Sequence, residues 1–452
     1  MNLTRRDNSF KIIKIEDTLG GFANNCSLKN TLKKLIGKGS INESVINLCI
    51  LSIGIGILAL PQKVQYITLV FTPILIVFFA LINFWTFTIL GDTARKYRVN
   101  KYEDIIETMF NPYFYYFFLI IICLGLLGKI ILFQVILYKF IGGIINEIFS
   151  YDYINMDSFL IESFWGKKQT KFIVCYLFVI LVFFPLGMIK TFSQMRYLNA
   201  FGVFSIFIII FIIVIQFPIF YYHNVVIRKM KINVIDFSKG FGPDLKFITS
   251  ISTIVYAYEC HAGIFPVLSN LNEPTKKRVN SVFRKSTYIN SIFYIIITLF
   301  GYLSQPEKTP DLILERQKIS NSDYLMTFGL ILYCITIITK ISSLFNCLKS
   351  LLLNIMKYNI DNYPTNINIL LIFIIFSIST FVAVVFQNIS DYISLISSFY
   401  GLLIANIIPG IIYIRTNENS QKIKCFVLII LIVFCSIGAL TIYFTLKKLV
   451  KI

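Results

Sequence analysis

Apolar residues in this chain come in long blocks, with polar residues gathered into the short stretches between them. The blocks lie near 44–62, 69–91, 113–145, 172–189, 197–222, 247–268, 287–304, 325–348, 368–386, 391–414 and 424–446. A helix needs about 20 apolar residues to cross the hydrocarbon of a bilayer. Most blocks have that length, so the pattern predicts an all-α, multi-pass membrane protein with about eleven spans. The third block is long enough to tilt. The first and sixth are interrupted by glycine, proline or charge.

Composition sharpens this reading. Hydrophobic residues make up 56% of the chain and charged residues 14%, where soluble domains carry about 25% charged residues. Residues 1–41 form a basic tail (Arg5, Arg6, Lys11, Lys14, Lys29, Lys33, Lys34, Lys38) with no apolar core of signal-peptide type. The first block is therefore expected to stay as a span. The transmembrane unit is expected over 42–446, with a short tail at 447–452. With the N-terminus in the cytosol, more of the 42 Lys and Arg residues fall inside than outside, while the 23 acids divide evenly. That bias follows the positive-inside rule and favours a cytosolic N-terminus. It also accounts for the net charge of +19 without nucleic acid, for which no zinc or RNA-binding pattern is present.

Few residues suit catalysis. The chain has two histidines, His223 and His261. The polar stretches hold no nucleophile–base pair, phosphate loop or metal cluster, so neither an enzyme nor a cofactor is expected. Eight of the nine cysteines fall in or next to apolar blocks and read as packing residues. Asn388–Ile389–Ser390 matches a glycosylation acceptor on the non-cytosolic side; Asn2, Asn25 and Asn42 match it on the inside.

The chemistry concentrates in the interrupted blocks. "NLCILSIGIGILALP" (Asn47–Pro61) carries Gly54 and Gly56 in an otherwise apolar run. Irregular backbone at membrane depth is tolerated only where it meets protein or a water-filled cavity. Unwinding there would leave a half-helix starting near Ile57, whose free N–H groups and positive dipole end suit a carboxylate. Close helix packing explains small residues equally well. The sixth block, "STIVYAYECHAGIFP" (Ser252–Pro266), tips the balance, because it places Glu259, His261, Gly263 and Pro266 in hydrocarbon. A charge there costs about 3 kcal/mol unless partnered. Two broken segments five apart in order point to a transporter site at the midplane, each opening one half of an inverted repeat.

Five stretches in order then resemble the amino acid/auxin permease family, especially its neutral amino acid transporters. They are "NLCILSIGIGILALP", "FPLGMIKTFSQMRYLNAFGV" (Phe184–Val203), "YAYECHAGIFPVLSNLNEPTKKRV" (Tyr256–Val279), "FGYLSQPEK" (Phe300–Lys308) and "DYISLISSFYGLLIANIIPGIIYIR" (Asp391–Arg415). The resemblance covers about residues 42–446. It implies eleven spans, a LeuT-type 5+5 inverted-repeat core, and secondary transport of amino acids by alternating access. It implies that the backbone at Ser52, Ile53, Gly54, Ile55, Gly56 and Ile57 holds the substrate carboxylate. The carbonyls near Tyr256, Ala257, Tyr258 and Glu259 would hold its ammonium.

The chain departs from the sodium-coupled members. Where they carry a polar Asn, this chain has Ile50. Where their eighth helix supplies a hydroxyl, it has Lys340, with Ser342 and Ser343 close by. An ammonium in place of sodium implies Na⁺-independent transport, facilitated or proton-coupled. Glu259 and Lys340 are the candidates for coupling. Glu259 could also pair with Lys340, or contact the ammonium of a basic substrate. His261 is read first as a structural histidine, Lys139 as snorkelling to the interface, and Lys129 as deeper, near a cavity mouth. Tyr256 and Tyr258 suit packing and pocket lining equally. An amino acid sensor and a carrier of another small amine stand as the alternatives. Both the plasma membrane and a vacuolar or lysosomal membrane fit the sequence.

Overall fold

The structure, a computed structural model, describes residues 39–152, 175–188, 196–317, 324–358, 363–385, 389–416 and 421–450. Every regular element among them is helical. The chain enters through Ser40-Ile41-Asn42-Glu43, with Ser40 as the helix cap. Ser40 Oγ accepts from the Glu43 N–H at 3.1 Å, and Glu43 Oε2 accepts from the Gly39 N–H at 2.5 Å. That cap starts helix α1 (Ile41–Ser52), which stops at Ile53, and α2 (Ile55–Ile67) resumes two residues on. The first block is thus one broken helix, and its second half begins at Ile55, two residues before the predicted start.

The next elements are α3 (Phe71–Tyr97), the short α4 (Tyr102–Met109), α5 (Pro112–Asp152), α6 (Cys175–Gly187) and α7 (Arg196–Tyr221). The sixth block is broken as expected. α8 (Lys246–Ala257) ends before Tyr258, a 3₁₀ turn spans His261–Gly263, and α9 (Ile264–Asn270) follows. The chain continues with α10 (Lys276–Ser304), α11 (Tyr324–Ile355), α12 (Thr365–Val385), α13 (Ile389–Thr416) and α14 (Gln421–Val450). Thr275, at the head of the basic "PTKKRV" run, caps α10. Among the described residues, nine helices are long and apolar enough to cross a membrane. The broken α1–α2 pair and the shorter α6 occupy the first and fourth blocks. Asn2, Asn25 and Asn388 lie outside the described residues, as do the tail to residue 38 and residues 451–452.

Outward faces are apolar, as lipid requires: Ile74, Phe78 and Leu81 on α3, Phe204 and Phe211 on α7, and Phe426, Ile429 and Ile432 on α14 are exposed. Inside, hydroxyls satisfy themselves by donating back along their own helix. Thr93 Oγ1 bonds the Ile89 carbonyl at 2.7 Å, Ser250 Oγ the Lys246 carbonyl at 2.7 Å and Thr441 Oγ1 the Ile437 carbonyl at 2.8 Å. α10 packs on α1, α2 and α3, while α8 lies against α2 and the middle of α13. The two broken helices therefore sit together at the centre, with α5 and α11 paired beside them.

α10 approaches α2 closely at Gly301, where a Cβ would stand 2.7 Å from Pro61 Cγ. Gly301→Val is expected to force these helices apart at a cost of about 1–3 kcal/mol. Thermal unfolding of the purified protein should show a midpoint lowered by several degrees; an unchanged midpoint would contradict this packing.

Candidate functional site

The site grows from the two breaks. At the first, Gly54 has no side-chain cap to offer α2, so the first N–H groups of α2 have no capping side chain. A Cβ on Gly54 would meet nothing within 4 Å, so this glycine borders open space. Gly56 does the opposite work: a Cβ there would lie 2.7 Å from Ala257 Cα. Its missing side chain lets α2 touch the end of α8. Both readings of the glycines are therefore realised, open space at one and close packing at the other.

At the second break, Tyr258 N bonds the Val255 carbonyl at 3.1 Å and Glu259 N the Tyr256 carbonyl at 3.0 Å, closing α8. The Ala257 carbonyl instead accepts from Tyr294 Oη of α10 at 2.5 Å. The same hydroxyl lies 3.1 Å from the Ser52 carbonyl and 3.0 Å from Ser52 Oγ. Tyr258 turns the other way, its Oη 3.1 Å from the Ile76 carbonyl and 2.9 Å from Ser291 Oγ, which marks it as a packing residue.

Glu259 is almost fully buried and forms an ion pair with Lys129 of α5. The sequence offered Lys340 or the ammonium of a basic substrate for it; the structure gives it Lys129. Lys129 Nζ also stands 4.5 Å from the Tyr400 ring centroid and 5.9 Å from that of Tyr256. Tyr400 is brought there by a π-helical turn over Ser397–Gly401 in α13, the kind of irregularity that re-aims side chains at functional sites. Ion pair and ring faces together compensate a charge taken out of water. Lys340 lies on α11, which packs against α5.

The remaining candidates fall as follows. Ser342 Oγ donates to the Ile338 carbonyl of its own helix at 3.1 Å, and Ser343 lies beside it on α11. Ile50 belongs to α1, and its side chain lies outside the described residues. His261 is fully buried, its Nε2 2.9 Å from Thr86 Oγ1 and its ring edge-on to Phe87, while its buried Nδ1 meets no hydrogen-bond partner. Lys139 does not simply snorkel: it pairs with Glu315 in the α10–α11 connection at 2.7 Å. Lys129, Tyr294 and Tyr400 carry more of the site than their sequence context suggested. Tyr294 had a signal, since Thr287, Asn290, Ser291, Tyr294 and Thr298 form a polar stripe at helical spacing on α10.

Away from the breaks, a cavity of about 300 Å³ is lined by Lys63, Lys246, Lys448, Asp244, Asp311 and Asp391, among others. Lys63 Nζ bonds Gln62 Oε1 at 2.8 Å and Ser390 Oγ at 3.0 Å, and Lys448 grips both oxygens of Asp391. Among the described residues no cluster of side chains suits a metal ion.

Comparison with known proteins agrees with this anatomy. A family model described as "Transmembrane amino acid transporter protein" matches residues 37–447. Three curated relatives align over part of the chain. Amino acid transporter AVT6B of Arabidopsis thaliana is 23% identical over 65% of this chain and 62% of its own length. Vacuolar amino acid transporter 5 of Schizosaccharomyces pombe is 23% identical over 60% of this chain and 59% of its own. AAT1 of Plasmodium berghei, named for amino acid transport, is 22% identical over 64% of this chain and 43% of its own. The chain thus spans less than two thirds of the length of each of these relatives.

Removing one member of a buried ion pair strands the other, typically at about 3–5 kcal/mol. Lys129→Met and Glu259→Gln are each expected to destabilise the protein strongly. The double variant should recover much of that loss, which a double-mutant cycle in thermal unfolding reads directly. Additive losses would show that the two groups act independently.

Proposed function

Because the chain belongs to the transmembrane amino acid transporter protein family, we propose that it moves an amino acid across a membrane by alternating access around the two breaks. The carrying observation is the contact of Gly56 with Ala257, which joins the start of α2 to the end of α8. The substrate carboxylate would sit at the N-terminal end of α2, over Gly54, Ile55, Gly56 and Ile57, with Ser52 and Ile53 at the edge. Uncapped N–H groups and the dipole favour an anion there. Its ammonium would face the carbonyl side of Tyr256, Tyr258 and Glu259; the Ala257 carbonyl already accepts from Tyr294. In this reading, eleven spans form two inverted sets of five plus one, with residues 1–41 in the cytosol. The name of the fission-yeast relative supports a vacuolar membrane over the plasma membrane.

Transport is proposed to be independent of sodium. The departures from the sodium-coupled pattern at Ile50 and Lys340 support this reading. Proton coupling through Glu259 or Lys340 is the active form of this reading, and facilitated exchange the passive one. Pairing of Glu259 with Lys129 argues against a carrier of cationic amines, because the carboxylate already has its counter-ion.

Proteoliposomes of the full chain separate these readings. Labelled neutral and basic amino acids would be offered in sodium and in choline, with and without an inward proton gradient. Uptake equal in sodium and choline is expected; a strict sodium requirement overturns the ion reading. Binding without flux would identify a sensor. Gly54→Ala should fold normally yet lower substrate affinity, since its methyl enters open space beside the α2 end. Gly56→Ala should lose both stability and uptake, since its methyl meets backbone. Full uptake by both variants would remove the breaks from the site.

A further inference from the structure

Two helix ends meet at one oxygen. α1 finishes at Ser52 and α8 at Ala257, and each leaves a terminal carbonyl beyond its own helical bonding. Both carbonyls, with Ser52 Oγ, lie within hydrogen-bond reach of Tyr294 Oη, at 3.1, 2.5 and 3.0 Å. Each helix C-terminus carries roughly half a negative charge. The convergence therefore gathers oxygens and negative potential in a buried place: Tyr294 and Ser52 are 0% and 5% exposed. Three oxygens gathered in this way suit a hard monovalent cation. Here a neutral O–H stands in the middle of them.

We propose that the Tyr294 hydroxyl takes the place of a bound cation between the two breaks. It donates to the α8 carbonyl, receives from Ser52 Oγ, and so ties α1 to α8 without an ion. The phenol ring fills the remaining room, since Tyr258 packs against it with ring centroids 4.8 Å apart. A donor built into α10 needs no ion from solution. It also keeps the substrate ammonium off the Ala257 carbonyl and directs it to the Tyr258–Glu259 side. This inference rests on the sodium-independent transport reading and locates its cause in one side chain. Tyr294 is a positioning residue here, acting on the substrate through the two helix ends.

Three variants of the full chain test it. Tyr294→Phe removes only the oxygen and leaves the ring blocking the space. Its uptake should fall by about tenfold or more in sodium and in choline alike, the scale of leaving buried acceptors without a donor. Tyr294→Ser and Tyr294→Asn open the space and keep an oxygen. Each should take up little in choline and recover in a saturable way with sodium or lithium. The independent reading is thermal unfolding of purified protein in sodium chloride against choline chloride. Sodium should raise the midpoint of Tyr294→Ser and Tyr294→Asn by about 2 °C or more through preferential binding to the folded state, and leave the wild type unmoved. Wild-type-like uptake by Tyr294→Phe, or no sodium shift in either opened variant, overturns the proposal. Failure of the transport reading itself would appear differently, as a wild type that moves no amino acid while the opened variants still gain a sodium shift.

Discussion

The structure depends on the rule that no backbone N–H or C=O can stay unpaired in hydrocarbon. A helix meets that rule automatically, and a broken helix does not. Two breaks at the same depth are stable only if each supplies what the other lacks, or if neighbours do. The neighbour here is α10. It runs along α1 and α2, and its Tyr294 hydroxyl reaches a free end of each broken helix, donating to the Ala257 carbonyl with the Ser52 carbonyl 3.1 Å away. The start of α2 at Gly54 has no capping side chain and lies beside open space. N–H groups that must find a partner beside open space suit a bound anion, which is why the proposed carboxylate site is placed there.

The second constraint is charge. Glu259 at the sixth-block break would be untenable alone, and the fold answers it with Lys129 from α5 and the faces of Tyr256 and Tyr400. α5, α8 and α13 thereby share one electrostatic unit. α5 also packs on α11, the helix that carries Lys340. Any motion that separates α5 from the break must carry Lys129 away from Glu259 or take Glu259 with it. That couples the helices outside the breaks to the breaks themselves. The polar cavity around Lys63 and Asp391 sets a further charged cluster where α2, α13 and α14 come together, so charge pairs hold the assembly at more than one level.

Much of this was legible in the chain, and the reasons are local. Apolar blocks of bilayer length must be helices, so their order could be read directly. Gly54 and Gly56 announced the first break because glycine weakens a helix, and Glu259 with Gly263 and Pro266 announced the second. The start of α2 was placed two residues late because either glycine could cap it. Lys340 was one partner the sequence offered for Glu259, and the structure pairs Glu259 with Lys129. Three lysines lie inside apolar blocks, Lys129, Lys139 and Lys340, and only the packing of α5 decides for Lys129.

By itself, then, the sequence determined that the chain is helical, lies in a membrane and interrupts two helices with groups that lipid does not tolerate. Those properties follow from hydrophobic length, glycine and buried charge, each readable from a residue and its near neighbours. Tertiary structure alone decided which groups answer the interruptions. Tyr294 lies 242 residues from Ser52 and 37 from Ala257, and Lys129 lies 130 from Glu259. Hydrogen bonds and ion pairs act over a few ångströms, and only the folding of α5, α8 and α10 around one centre brings such distant residues within that range.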